Sequence, residues 1–183
     1  IIMYPVIEWK NNKVYMIDQR LLPLEEKFIE HSKYTEVAES IKNMVIRGAP
    51  AIGVAAAMGI ALGVLNEKKN YLKEFPKIIE VISSTRPTAV NLFWAVEKMK
   101  GIFEKFNYDY DILKKKMVEE ALCIDREDVE INKKIGKNGE VLLKSGQTVL
   151  THCNAGALAT AGYGTALGVI RAAYENKKDI LVI

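Results

Sequence analysis

Cysteine and glutamine are nearly absent from this chain. Its 183 residues hold two cysteines, Cys123 and Cys153, and two glutamines, Gln19 and Gln147. Two thiols far apart, with no C-x-x-C spacing, argue against both a disulfide framework and a zinc site. A reducing, cytoplasmic setting is the simplest fit. Scarce Gln beside abundant Lys and Glu leans toward a heat-adapted source. Excess charge is also lacking: the net value is +3, dispersed along the chain, which leaves no footprint for nucleic acid. The opening Ile1-Ile2-Met3-Tyr4-Pro5 lacks the basic region and apolar core of a secretory leader. No charge falls between Arg47 and Glu67, a run long enough to cross a bilayer. It is built from Ala and Gly rather than Leu, Ile and Phe, and has no aromatic belt. A buried helix packed closely by its neighbours is the better reading. Internal repeats and low-complexity segments are missing too.

What is present is an ordinary globular balance, 49% hydrophobic and 27% charged. Val6–Trp9 and Val14–Asp18 alternate around Asn11-Asn12, as a β-hairpin does. Asp18-Gln19-Arg20 reads as a polar exit from the second strand, and Pro23 marks a loop. Thr35 is placed to cap a helix with the stripe Val37, Ile41, Met44 and Val45, ended by Arg47-Gly48. The Ala/Gly helix follows at once, with Pro50 in its first turn. Its bare opening amides and the Arg47 guanidinium suit an anion cradle, or a plain helix–helix corner.

Residues 70–84 form an amphipathic pattern on Leu72, Phe75, Ile79 and Ile82, with Pro76 bending the helix or delaying its start. Pro87 holds Arg86 in an extended conformation between two helices, within reach of a ligand. Thr88 is placed to cap the next helix, on Leu92, Ala95, Val96, Met99, Phe103 and Phe106. Asp111 heads a long helical stretch through Ile135, interrupted by Gly136 and Gly139. Its Asp125, Glu127, Asp128 and Glu130 splay around the axis and read as a solvated face rather than a metal cluster. Asp128 and Asn132 fall near the apolar stripe, either exposed or half-buried.

Gln147–Cys153 reads as a strand, 155–176 as its crossover helix, and Asp179–Ile183 as a second, apolar strand. Together they make a parallel βαβ unit. Two parallel strands do not bury both faces by themselves, so the pattern implies the amino-terminal portion of a longer α/β protein, or a partner that completes the sheet. Cys153 then sits at a strand-to-helix corner, where open α/β sheets bind ligands. A helix start there would favour the thiolate, and Gly156 would permit a sharp turn. A small Cys packed under a helix is the alternative.

Three stretches carry a resemblance: Met44-Val45-Ile46-Arg47-Gly48-Ala49-Pro50-Ala51-Ile52-Gly53, Thr85-Arg86-Pro87-Thr88-Ala89-Val90-Asn91-Leu92-Phe93-Trp94-Ala95, and Leu150-Thr151-His152-Cys153-Asn154-Ala155-Gly156-Ala157. They resemble the signatures of methylthioribose-1-phosphate isomerases, over about the first half of that family's usual length. The resemblance implies an α/β architecture. A small amino-terminal domain of a hairpin plus helices (1–145) would precede a Rossmann-like domain that begins at 146 and is incomplete at 183. It implies an aldose–ketose isomerase of methionine salvage, needing no metal or organic cofactor, and usually a homodimer. The catalytic Cys falls on Cys153, and phosphosugar contacts on Arg47, Gly48, Ala49 and Arg86. The family's catalytic Asp, a substrate-binding Gln and an Asn-Lys pair belong to its carboxyl-terminal half, outside these residues. Ribose-1,5-bisphosphate isomerases and regulatory subunits of the translation-initiation exchange factor share the fold. Phe93-Trp94 favours the methylthioribose branch.

Overall fold

The computed structural model describes residues 5–183. The start of the chain, where no leader is expected, lies largely outside the described residues. The hairpin forms as expected: β1 (Ile7–Lys10) pairs antiparallel with β2 (Lys13–Ile17). Asn11 and Asn12 take φ of 52° and 57°, the pair of positive values that a two-residue turn matched to strand twist demands. A third strand, β3 (Phe28–His31), pairs with the other edge of β2. His31 is buried there; its Nδ1 donates to the Val14 carbonyl at 2.9 Å and its Nε2 lies 2.6 Å from Ser40 Oγ. Burial holds its pKa below the usual imidazole value.

Asp18-Gln19-Arg20 forms the polar exit from β2, and two of its three residues are buried. Asp18 and Gln19 are 3% and 4% exposed. The Arg20 guanidinium grips the Asp18 carboxylate at 2.7 and 2.8 Å, which depresses the carboxyl pKa.

Helix α1 spans Tyr34–Lys42. Its amino end is closed by Glu36, whose carboxylate accepts from the Ser32 and Lys33 amides at 2.7 and 3.0 Å, so Thr35 is not the cap. The helix ends well before Gly48. Met44 turns the chain at φ 60°, and Val45 and Ile46 then plunge into the core.

Helix α2 (Ala49–Asn66) is the centre of the fold, with every residue from Ala51 to Val64 buried. By length and composition it would cross a membrane, yet 78% of it is inside the protein. Its small residues are contact points: a Cβ on Gly59 would meet Val37 Cγ1 at 2.8 Å, and one on Gly63 would meet Ile78 Cδ1 at 2.9 Å. Ile60 and Leu62 are fully buried there, each contributing about 1.5–3 kcal/mol.

Helices α3 (Tyr71–Ser83), α4 (Val90–Phe106) and α5 (Tyr110–Glu140) complete the shell around α2. Pro76 does not delay α3, which starts at Tyr71 and runs through it; the buried face is Phe75, Ile78 and Ile82, while Leu72 points outward. The cap of α4 is the backbone at Ala89 rather than Thr88. Asp109, not Asp111, caps α5, accepting from the amides of Asp111 and Ile112 at 2.8 and 3.1 Å. Gly136 and Gly139 do not interrupt α5. They let α6 (Ala166–Glu175) lie against it: a Cβ on Gly136 would meet the Gly168 carbonyl oxygen at 2.8 Å.

Strands β4 (Gln147–Val149) and β5 (Ile180–Val182) pair in parallel. The strand thus stops at Val149, although Thr151 N still donates to the Ile183 carbonyl at 2.9 Å. The crossover helix starts at Ala166 rather than near residue 155. One short 3₁₀ turn at Ala157–Ala159 and a loop precede it. The architecture is mixed α/β, an antiparallel sheet and helices followed by a short parallel sheet.

Candidate active site

The loop from Cys153 to Thr165 is fixed by long-range hydrogen bonds rather than by helix. Gln19 Nε2 donates to the Leu158 carbonyl at 2.7 Å. Asp128 Oδ2 accepts from the Ala161 amide at 2.7 Å, and Asn132 Nδ2 donates to Asp128 Oδ1 at 3.1 Å. Inside the loop, Thr160 Oγ1 accepts from the amides of Gly162 and Gly164 at 3.2 and 3.0 Å. The Ala155 carbonyl takes the amides of Thr165 and Leu167 at 2.9 and 3.2 Å. These bonds satisfy the backbone groups that a helix would otherwise pair.

Asp125 and Asp128 are therefore not part of a solvated face. Both are half-buried, whereas Glu127 and Glu130 are exposed. Burial, with the nearby Asp128 carboxyl adding to it, pushes Asp125 up to about 6. Burial also raises Asp128, against the opposing pull of the bonds from Ala161 and Asn132.

Cys153 is exposed and takes φ 76°. A non-glycine residue in the left-handed region costs about 1–2 kcal/mol, and persists where its surroundings dictate it. The next residue supplies one such constraint, since Asn154 Nδ2 donates to the Arg47 carbonyl at 3.1 Å. The crossover helix expected to begin beside Cys153 begins at Ala166, so the terminus of that helix does not abut the thiol. Gly156 has φ −90°, and the sharp turn is made by Cys153 itself and by Gly164 at φ 98°.

Gly48 is the amino-terminal cap of α2, at φ 118°. Its Cα faces the loop so closely that an added Cβ would lie 2.4 Å from Ala159 Cα. Arg47 and Ala49 flank it. Arg86 occupies the connection between α3 and α4; its Nη1 is buried with no hydrogen-bond partner, as is Thr151 Oγ1. A buried guanidinium N–H without an acceptor is costly until one arrives.

These corners converge. Arg47, Gly48, Ala49, Arg86, Cys153 and Asn154 line a single cleft of about 700 Å³. The starts of α2 and α4, at Gly48–Ala49 and Ala89, border it too. Two guanidinium groups, unpaired helix-start amides and a reachable thiol can hold an oxyanion and exchange a proton beside it. Larger hollows of about 760 and 820 Å³ lie along α6 and contain none of these residues. Among the described residues no three His, Cys, Asp or Glu side chains gather as a metal site. Sequence reasoning missed Gln19 and Asp128 as anchors of the loop. For Gln19 the one signal was its rarity; for Asp128 it was phase with the apolar stripe of α5.

Residues 45–183 match the model of the Initiation factor 2 subunit family. A methylthioribose-1-phosphate isomerase from Geotalea uraniireducens is 53% identical over 98% of this chain and 53% of its own length. One from Petrotoga mobilis is 55% identical over 96% of the chain and 52% of its own length. The crystal structure of 5-methylthioribose 1-phosphate isomerase from Pyrococcus horikoshii OT3 superposes with a TM-score of 0.91 at 46% identity, over 97% of this chain and 51% of the other. The translation initiation factor eIF-2B subunit delta from A. fulgidus superposes at 0.84 with 40% identity, over 97% and 53%. The chain thus spans about half the length of the relatives it matches.

Proposed function

The chain belongs to the Initiation factor 2 subunit family, and on that premise we propose that its protein is an aldose–ketose isomerase. It converts 5-methylthioribose 1-phosphate to 5-methylthioribulose 1-phosphate, a step of methionine salvage. The observation that carries this reading is the meeting of Arg47, Gly48, Ala49, Arg86 and Cys153 on one cleft, together with isomerase relatives about half identical to the chain.

A sugar phosphorylated at C1 has no free aldehyde, so its ring must open first. The C1–O4 bond breaks and O4 takes a proton. The hydrogen on C2 moves to C1, and the C2 hydroxyl releases its proton as the ketone forms. One proton enters and one leaves, so the site needs an acid and a base of different pKa. Cys153 serves as one of them, and the carboxylate partner is an Asp beyond these 183 residues. Arg47, the α2 amides at Gly48–Ala49 and Arg86 neutralise the phosphate and hold the sugar in place. The unpartnered Nη1 of Arg86 gains its acceptor when the phosphosugar binds.

The same reading divides the chain near residue 145, between a helical domain and the start of a Rossmann-like one, and makes the protein a cytoplasmic homodimer. A second reading, a non-catalytic assembly subunit, is favoured by the likeness to the eIF-2B delta subunit. The deciding experiment gives the full-length protein 5-methylthioribose 1-phosphate, ribose 1,5-bisphosphate and 5-deoxyribose 1-phosphate side by side. Ketose formation fastest from the first supports the proposal. A faster second or third sugar moves it to another branch, and no turnover of any favours the assembly reading.

A further inference from the structure

Gln19 sits just beyond the end of β2, buried, and is not among the residues that line the arginine-bearing cleft. Its two amide groups nevertheless hold both sides of that cleft. The main-chain N–H donates to the Val45 carbonyl at 2.9 Å, on the segment that leads into Arg47 and Gly48. The side-chain Nε2 donates to the Leu158 carbonyl at 2.7 Å, in the loop that carries Cys153. Its neighbours fix its backbone. Asp18 N donates to the Lys27 carbonyl at 2.7 Å, and the Arg20 main-chain N–H and guanidinium both donate to the Asp18 carboxylate.

Two other contacts join the same corners. Asn154 Nδ2 donates to the Arg47 carbonyl, but at an exposed position, where water competes for the bond. Gly48 meets Ala159 by close approach alone, with no directional bond. Among the described residues, the Gln19 bond is the directional tie between the corners that has a buried donor, and burial strengthens it.

We propose that Gln19 is a positioning residue for the reaction: without touching the sugar, it sets the distance from the Arg47 corner, which holds the phosphate, to the Cys153 thiol, which exchanges the proton. The inference rests on the isomerase reading and deepens it. A bound sugar reacts only while the thiol and the phosphate anchors keep their spacing, and a misplacement of about 1 Å costs roughly 100-fold in rate. Losing the bond to Leu158 lets the Cys153 loop drift. The main-chain bond to Val45 stays, and the phosphate corner with it. The loss therefore falls on kcat and not on KM.

The test compares two variants of the full-length protein with wild type on 5-methylthioribose 1-phosphate, with urea unfolding as a check on each fold. Gln19→Met keeps the length and removes the donor. Gln19→Glu keeps the shape and makes the donor depend on pH. Burial raises the carboxyl pKa, so the protonated form donates to the Leu158 carbonyl and the ionised form repels it. Gln19→Met should lower kcat at least about tenfold at every pH and leave KM within about threefold of wild type. The kcat of Gln19→Glu relative to wild type should rise at least about fivefold from about pH 9 to about pH 6, while the Gln19→Met ratio stays flat. If Gln19→Met does not fold, the Gln19→Glu ratio decides alone. Wild-type kcat in Gln19→Met, a loss carried by KM, or a Gln19→Glu ratio that is flat across pH overturns the positioning role. Absent turnover by wild type removes the isomerase reading instead, and the same ratios are then read in the alkylation rate of Cys153 by iodoacetamide. A pH-dependent ratio in Gln19→Glu alone keeps the positioning role, and wild-type rates in both variants strike it as well.

Discussion

Gly48 and Ala159 meet backbone to backbone, and a single added methyl group at Gly48 would lie 2.4 Å from Ala159 Cα and 2.5 Å from its carbonyl oxygen. Neither of those atoms is the end of a flexible side chain that can swing away. The contact locks the arginine-bearing start of α2 to the loop that carries Cys153. Gly48→Ala adds this overlap to a φ of 118°, for which strain alone costs about 1–3 kcal/mol. The expected result is a loss of at least about 2 kcal/mol in urea unfolding, with phosphosugar binding weakened in whatever still folds. Unchanged stability would mean the loop is not seated on α2 as described.

Asp128 should matter through the loop rather than through substrate. Asp128→Ala leaves the Ala161 amide without its acceptor at 2.7 Å, a cost of about 1–3 kcal/mol. Hydrogen exchange at Ala161 and Gly164 should quicken more than exchange in α2. Asp128→Asn retains an acceptor oxygen and should restore most of the protection. Equal exchange in all three proteins would contradict the anchoring role.

The pH dependence of stability carries a signature of Asp125. Its carboxyl is raised in the folded state to about 6, mainly by burial, above an unfolded value of about 3.9. The folded protein therefore holds the proton more tightly, and this group's contribution falls as pH rises from about 4 through about 6. Asp125→Asn cannot ionise. It should raise the melting temperature relative to wild type above pH 6, with the gain vanishing below pH 4. A gain that is constant across this range would rule out the titration.

Arg86 separates stability from binding. Its Nη1 is buried without a partner, so Arg86→Ala removes an unsatisfied donor and should leave unfolding within about 0.5 kcal/mol of wild type. The lost charged hydrogen bond to phosphate, about 1.5–3 kcal/mol, should raise KM roughly 10- to 150-fold in the full-length protein. Unchanged kinetics would remove Arg86 from the site.

Much of the fold was legible where local chemistry and global packing agree. Asn11-Asn12 between alternating strands specified the hairpin, and the Ala/Gly run specified a buried α2. Leu92, Ala95, Val96, Met99 and Phe103 specified the inner face of α4. Reading failed where tertiary contacts override local preference. Gly136 and Gly139 look like breaks, yet the approach of α6 offsets their low helix propensity. Residues 155–165 are rich in alanine and look helical, yet Gln19 and Asp128, distant in sequence, fasten them as a loop. The short edge strand Phe28–His31 left too brief a pattern to be read. Arg47, Arg86 and Cys153 could be singled out one by one. Their convergence on one cleft depends on the Gly48–Ala159 contact, which no local pattern encodes.

The account rests most directly on the thiol at Cys153. Replacing it by serine keeps the approximate size and hydrogen bonding while removing the thiol. In the full-length protein, Cys153→Ser should abolish conversion of 5-methylthioribose 1-phosphate, with the unfolding midpoint and phosphosugar affinity close to wild type. Near-normal turnover by the serine variant would contradict the proposed chemistry.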